Sequence, residues 1–391
     1  AGQNVKAATY YNFTISGTKY FNGNIYVDNE ILTVSPGATL IAVQIRASIF
    51  VTGTGQLIAD GTQLSPILFT CDTDLDGLNA EPGEYWGNIN ISSSGTSRLS
   101  YCTHESGRKD FFKFGLLGGG LRLGSSAVTV SNSTFRNCVA EKGGAIAVIN
   151  GATPSISACT FLNNSAIIQG GAIYTDAGSS PLIENSLFNG NSSGSLTLRG
   201  GTVASLSAAP KLVNSTIVNS SSPVGDGTSL YLENSAGAIV VNTVIWGGAN
   251  HVGLNGTPSS VLEYNAIEGA SYAGNFTLNS VNSAADGPNF IDPATGNFNI
   301  AFTSLLRDSG AETYPGITIP TRDIISSSRI HIPDRGAFEM IYSRCNGSFG
   351  TSWTNPKNWD GTFPPGDRNV VIPAGLAYYP VDAPGPTFTL N

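Results

Sequence analysis

Apolar and small polar residues recur in one phrase through the middle of the chain. Val130-Ser-Asn-Ser-Thr-Phe135, Ile156-Ser-Ala-Cys-Thr-Phe161, Ile183-Glu-Asn-Ser-Leu-Phe188, Leu212-Val-Asn-Ser-Thr-Ile217 and Val240-Val-Asn-Thr-Val-Ile245 align without gaps, and their last residues are 26, 27, 29 and 28 positions apart. Leu99-Ser-Tyr-Cys-Thr-His104 is a weaker copy that ends 31 residues before Phe135. A second phrase keeps the same period: Gly143-Gly-Ala-Ile146, Gly170-Gly-Ala-Ile173 and Gly200-Gly-Thr-Val203. Two phrases on one period mean one structural unit per repeat.

Within each unit, two or three short runs of Val, Ile, Thr, Phe and Ser are split by Gly, Asn and Ser. This is strand patterning with no helical period. Such units predict an all-β solenoid, a parallel β-helix whose coils stack at about 4.8 Å. A propeller blade would need roughly 40 to 45 residues and four strands. Stacking also predicts columns. Cys102, Ser133, Cys159, Ser186, Ser215 and Thr243 share one repeat position, where only a small side chain fits near the axis. Cys102 and Cys159 are then two coils, about 9.6 Å, apart, too far for a disulfide. Cys138, Asn164 and Asn191 share another position, where asparagine is expected to bridge the backbones of successive coils.

The strand pattern continues less regularly toward the N-terminus, through Asn24-Ile-Tyr-Val27, Ile31-Leu-Thr-Val34, Thr39-Leu-Ile-Ala42 and Ala47-Ser-Ile-Phe-Val51. Beyond residue 342 the composition changes, with Trp353, Trp359 and Pro364-Pro365. The expected organisation is a cap or leader over 1–30, a parallel β-helix with its closing segment over 31–342, and a small β segment over 343–391 that begins a second, truncated module.

Composition narrows the partners. Of 391 residues only 12% are charged, and the formal net charge is −8, which argues against a basic nucleic-acid-binding surface. No run of 18 apolar residues exists, so no membrane-spanning helix is expected. The opening Ala1-Gly-Gln-Asn4 lacks a basic, apolar secretion signal, and the chain does not begin with Met, as expected of a processed or excised piece. The five cysteines, Cys71, Cys102, Cys138, Cys159 and Cys345, have no metal-site spacing and read as buried thiols. Triplets of the Asn-x-Ser/Thr type at Asn12, Asn90, Asn132, Asn214, Asn219 and Asn275 read as repeat and turn residues.

Several segments together resemble the secreted right-handed parallel β-helix proteins of bacterial surfaces, especially those of Bacteroidetes. Leu32-Thr-Val-Ser-Pro-Gly-Ala-Thr-Leu40, Gly55-Gln-Leu-Ile-Ala-Asp-Gly-Thr62, Pro66-Ile-Leu-Phe-Thr70 and Glu84-Tyr-Trp-Gly-Asn-Ile89 are similar to that family's opening coils. The Gly-Gly-Ala-Ile and Thr-Phe-x-x-Asn phrases resemble the repeats of chlamydial polymorphic membrane proteins. Pro288-Asn-Phe-Ile-Asp-Pro293, Ser304, Asp308-Ser-Gly310, Asp323 and Asp334-Arg-Gly-Ala-Phe-Glu339 resemble the closing segment. The family usually has Tyr where Phe338 stands and Gly-x-x-Arg before it, where this chain has Ser328-Arg329. Ser352-Trp-Thr-Asn-Pro-Lys-Asn-Trp359, Val370-Val-Ile-Pro-Ala-Gly375 and Tyr379-Pro-Val381 resemble a module of type IX secretion cargo. The resemblance implies a right-handed, pectin-lyase-like solenoid, an extracellular, surface or secreted location and contact with secretion machinery.

Two segments offer chemistry. Asp72, Asp74, Asp76, Asn79 and Glu81, with Glu84 a little beyond, alternate around Gly77. Closely spaced hard oxygens in a tight loop suit calcium, yet Gly83 stands where an EF-hand needs Glu. A structural Ca2+ and an unoccupied acidic loop are the two readings. His104, Arg108, Lys109, Phe111 and Phe112 form the densest charged stretch, in an enlarged connection. Cations beside aromatic platforms suit a surface glycan, whereas a solvated loop with apolar anchors is the simpler outcome.

Many enzymes share this fold. Inverting hydrolysis needs converging carboxylates roughly 6.5 to 9.5 Å apart, and the repeats from 125 to 300 carry few titratable groups. Polygalacturonase-type Gly-His-Gly and Arg-x-Lys are missing, and His104, His251 and His331 stand apart in sequence. A lyase needs only calcium and one basic residue, a role open to Asp72, Asp74 and Asp76 with Arg108 or Lys109. A regular Thr-x-Thr array for ice binding is missing. The sequence therefore favours a non-enzymatic surface adhesin or rigid stalk that displays binding loops to glycans or cell-surface proteins, with a calcium-dependent polysaccharide lyase as the alternative.

Overall fold

The computed structural model describes residues 4–5, 12–109, 116–176, 178–195, 200–223, 227–248, 250–256, 259–269, 271, 273–329, 332–340, 342–345 and separate positions between 351 and 376. Parallel strands stack into three long sheets of 12, 10 and 9 strands. Each complete coil supplies one strand to each sheet, as in Ile31–Val34, Thr39–Ala42 and Ile49–Thr52. Four coils add a short strand to a fourth sheet: Arg108–Lys109, Val139–Lys142, Ser165–Gln169 and Ser192–Ser193. The long sheets are parallel throughout, as the repeat predicts.

Inward residues stack in register. One column runs Leu40, Phe69, His104, Phe135, Phe161, Phe188, Ile217, Ile245 and Ile267. Its rings lie nearly parallel, with centroids 4.8, 4.6, 5.3 and 4.5 Å apart from Phe69 to Phe188. The coil spacing thus places each ring in contact with the next, and burial of such side chains stabilises by about 1.5–3 kcal/mol each.

The corners explain the small and amide residues. Tyr101, Asn132, Ala158, Asn185, Asn214, Asn242 and Tyr264 all turn the chain with φ between 45° and 56°, a region asparagine enters more readily than most residues. The next residue in each coil is the small column. There the Cys159 amide donates to Ser186 Oγ at 3.3 Å, Cys102 to Ser133 Oγ at 3.0 Å and Thr243 to Asn265 Oδ1 at 2.8 Å. The expected amide ladder is present. Asn164 Oδ1 accepts from the Cys138 amide at 3.0 Å, while its Nδ2 donates to Phe135 O at 3.0 Å and to Asn191 Oδ1 at 2.9 Å. All five cysteines are buried thiols.

One boundary is corrected. Phe13–Ile15, Thr18–Phe21 and Ile25–Asp28 pair in parallel with the strands of the following coil. Ile15, Phe21, Ile25 and Val27 extend the buried columns, so the stack begins before residue 31 rather than behind a separate cap over 1–30.

At the far end the chain returns along the outside of a corner. Asn185 Nδ2 donates to Arg322 O at 2.6 Å, Asn214 Nδ2 to Asp334 O at 3.2 Å and Asn242 Nδ2 to Ala311 O at 3.0 Å. Phe290, Phe298, Leu306 and Phe338 pack with Leu187, Val218 and Val244 beneath this strap. Tyr342–Cys345 pairs antiparallel with Trp359–Asp360 and parallel with Asn369–Val371, forming a small C-terminal sheet. Among the described residues no helix is long and apolar enough to cross a membrane.

Candidate metal and ligand site at two paired connections

Two connections leave successive coils side by side, 72–88 after Ile67–Cys71 and, in its described opening residues, 106–109 after Cys102–Glu105. Trp86 joins them. It is fully buried, its Nε1 donates to Glu105 O at 2.9 Å and its amide to Ser106 O at 3.2 Å. The Arg108 guanidinium lies over the Tyr85 ring, 4.7 Å from its centroid, a cation–π contact. Between the connections is a groove of about 320 Å³ lined by Glu81, Glu84, Tyr85, Ser106, Arg108 and Asn137.

The acidic loop is organised by Glu84. Its Oε1 accepts from the Thr73 amide, from Thr73 Oγ1 at 3.1 Å and from the Asp74 amide at 3.2 Å, while Oε2 accepts from the Glu81 amide at 3.1 Å. Asp72, Asp74 and Glu84 each bring one carboxylate oxygen within 4.8 Å of the others, and Asp74, Asp76 and Glu81 form a second such group. Asp72 is 3% exposed, and its Oδ1 is buried without a hydrogen-bond partner. Asp74 and Asp76 are exposed and serve local turns, accepting from the Asp76 amide at 3.3 Å and the Leu78 amide at 2.8 Å. Desolvation, then the charges of Asp76 and Asp74, raises the Glu81 carboxyl above its ordinary range. Asn79 is exposed.

The second stretch divides. His104 is fully buried within the aromatic column, between Phe69 and Phe135, and does not face the groove. Strand alternation sends Arg108 and Lys109 in different directions. Arg108 faces the groove, whereas Lys109 Nζ donates to the buried Ser48 Oγ at 3.0 Å. Burial, with Arg46 adding to it, lowers the Lys109 ammonium below its ordinary value. Phe111 and Phe112 lie outside the described residues.

In the sequence Tyr85 and Trp86 belong to a phrase similar to the opening coils, and Glu84 stands at the margin of the metal set. The available signal was an aromatic pair closing an otherwise polar insertion, since such a pair needs a neighbour to pack against. Another grouping escaped it altogether. Ser229 Oγ lies 2.9 Å from His251 Nδ1, and His251 Nε2 lies 3.2 Å from Glu268 Oε2. Ser229 is 0% exposed, so this relay satisfies buried polar groups and is closed to substrate.

Residues 145–303 match the family model described as the right handed beta helix region. No curated protein matches the sequence. The matched span and the continuous parallel sheets on both sides of it make this chain a right-handed parallel β-helix repeat protein.

Proposed function

We propose that this chain is a non-enzymatic β-helix module of an extracellular surface or secreted protein, a rigid rod whose paired connections bind an acidic glycan. The observation behind this reading is the groove between the connections, where Arg108 stands on Tyr85 and Ser106 and Asn137 supply polar edges. A guanidinium can pair with a uronate carboxylate, and hydroxyl and amide groups can bond sugar hydroxyls. The coil stack supports the stalk role, since every coil pairs with its neighbours along the axis and holds the connections in place. The extracellular location and export by secretion machinery rest on the resemblance of the opening, closing and C-terminal segments.

Binding of the full chain to a panel of neutral and acidic polysaccharides tests the reading. Retention of acidic glycans that is lost in Arg108→Ala and reduced in Tyr85→Ala is the expected result; equal retention by wild type and both variants overturns it.

A calcium-dependent polysaccharide lyase is the second reading, favoured by the placement of the acidic loop and Arg108 on one groove. It differs in predicting unsaturated sugar ends released from a bound glycan.

A further inference from the structure

We infer that Asp72, Asp74 and Glu84 hold one calcium ion at the root of the acidic loop. Three carboxylates with oxygens inside 4.8 Å place three negative charges in one small volume. Acidic loops often do this in water, where solvent relieves the repulsion, but here one member is not in water. Asp72 follows Cys71 at the end of a buried strand, is 3% exposed and carries an Oδ1 with no hydrogen-bond partner. A buried carboxylate oxygen left bare loses its hydration with no return. A cation among the three carboxylates supplies the missing partner and offsets the repulsion.

The donor set selects the ion. Every candidate ligand is a carboxylate oxygen, the chemistry of a hard cation, with no sulfur or imidazole in the group. The loop is irregular, with Leu75, Gly77, Ala80 and Gly83 all at positive φ. Calcium accepts six to eight oxygens in loose geometry, whereas magnesium demands a near-ideal octahedron. Glu84 binds the loop amides with both oxygens, and its Oε2, which accepts only from the Glu81 amide, keeps a lone pair for the ion, so one residue both shapes the loop and closes the site. The outer group, Asp74, Asp76 and Glu81, has no buried unpartnered oxygen, and its carboxylates serve turns in solvent. The inner group is therefore the site.

This site stands on the loop's own geometry and does not depend on the groove taking sugar. Calcium is titrated calorimetrically into the full chain after chelator treatment, alongside Asp72→Asn, Asp74→Asn and Asp76→Asn, with melting in chelator followed for each. The expected result is one ion per chain, bound at least about tenfold more weakly by Asp72→Asn and Asp74→Asn and little changed by Asp76→Asn. Asp74 is exposed, so its variant reports on binding even if Asp72→Asn melts early. No uptake of calcium, uptake unchanged in Asp74→Asn, or magnesium bound as tightly as calcium overturns the assignment. Loss of glycan retention with calcium uptake intact would refute the glycan reading and leave the ion site standing.

Discussion

The His104 imidazole lies 4.6 Å from the Phe135 ring, centroid to centroid, with the two planes 5° apart. It occupies an aromatic position in the interior column, and neither ring nitrogen has a hydrogen-bond partner. Burial drives its pKa down from 6.5 to about 3. In the unfolded chain the imidazole takes a proton near pH 6.5, while the folded chain resists until about pH 3, so the unfolded state binds more protons between those values. Its share of stability is complete above pH 6.5 and is lost as pH falls toward 3. His104→Phe is expected to raise the melting temperature at neutral pH and to flatten its fall between pH 6.5 and 4. Thermal melts across that range check both effects, and an unchanged acid slope would remove His104 as its source.

Asn164 satisfies three partners on two neighbouring coils. Asn164→Ala leaves the Cys138 amide buried without its side-chain acceptor and removes two further bonds, which is expected to cost on the order of 1–3 kcal/mol. The adjacent Asn163 is exposed with φ of 52°, so Asn163→Gly is expected to change stability by only a few tenths of a kcal/mol, since glycine enters that backbone region freely. Chemical denaturation midpoints separate the two.

Burial pushes the thiols of Cys71, Cys138 and Cys159 up to about 12 and raises that of Cys102 as well. The reactive thiolate is therefore scarce in the folded chain. Iodoacetamide at neutral pH is expected to leave the native mass unchanged, whereas treatment in guanidinium adds five adducts, one for each buried cysteine thiol. Cys159→Ser should be tolerated to within about 1 kcal/mol, because Ser133 and Ser186 already occupy the same column.

Arg329 fastens the returning strap. It pairs with Glu339 at 2.9 Å with both side chains almost fully buried, and donates to Asn185 Oδ1 at 3.0 Å and Gly336 O at 2.8 Å. Arg329→Ala leaves the Glu339 charge buried beside Asp334 without its cation, a loss of about 3–5 kcal/mol. Limited proteolysis is expected to cut within 305–340 first in this variant. A digestion pattern identical to wild type would show that the apolar contacts of Phe338 and Leu306 hold the strap alone.

The repeat was legible because a solenoid writes each coil into the sequence. Phe135, Phe161 and Phe188, the small column from Cys102 to Thr243, and Asn164 with Asn191 all fall where the period places them. Elements outside the period were harder to read. The strap grips Asn185, Asn214 and Asn242 from more than 65 residues away, and no local spacing encodes that contact. His104 looked like surface chemistry because charged neighbours follow it, while its register with Phe69 and Phe135 makes it a core residue. Arg108 and Lys109 looked like one basic pair, and the strand turned them apart. The acidic spacing indicated calcium chemistry, but the role of Glu84 depends on folding the loop back onto the amides of Thr73, Asp74 and Glu81.

The central claim is that the paired connections bind an acidic glycan without cleaving it. Incubating the full chain, in calcium, with acidic polysaccharides and reading both retained glycan and new unsaturated ends tests it most directly. The account predicts retention that depends on Arg108 and no unsaturated ends. Release of unsaturated ends that disappears in Arg108→Ala would contradict it and make the chain a lyase.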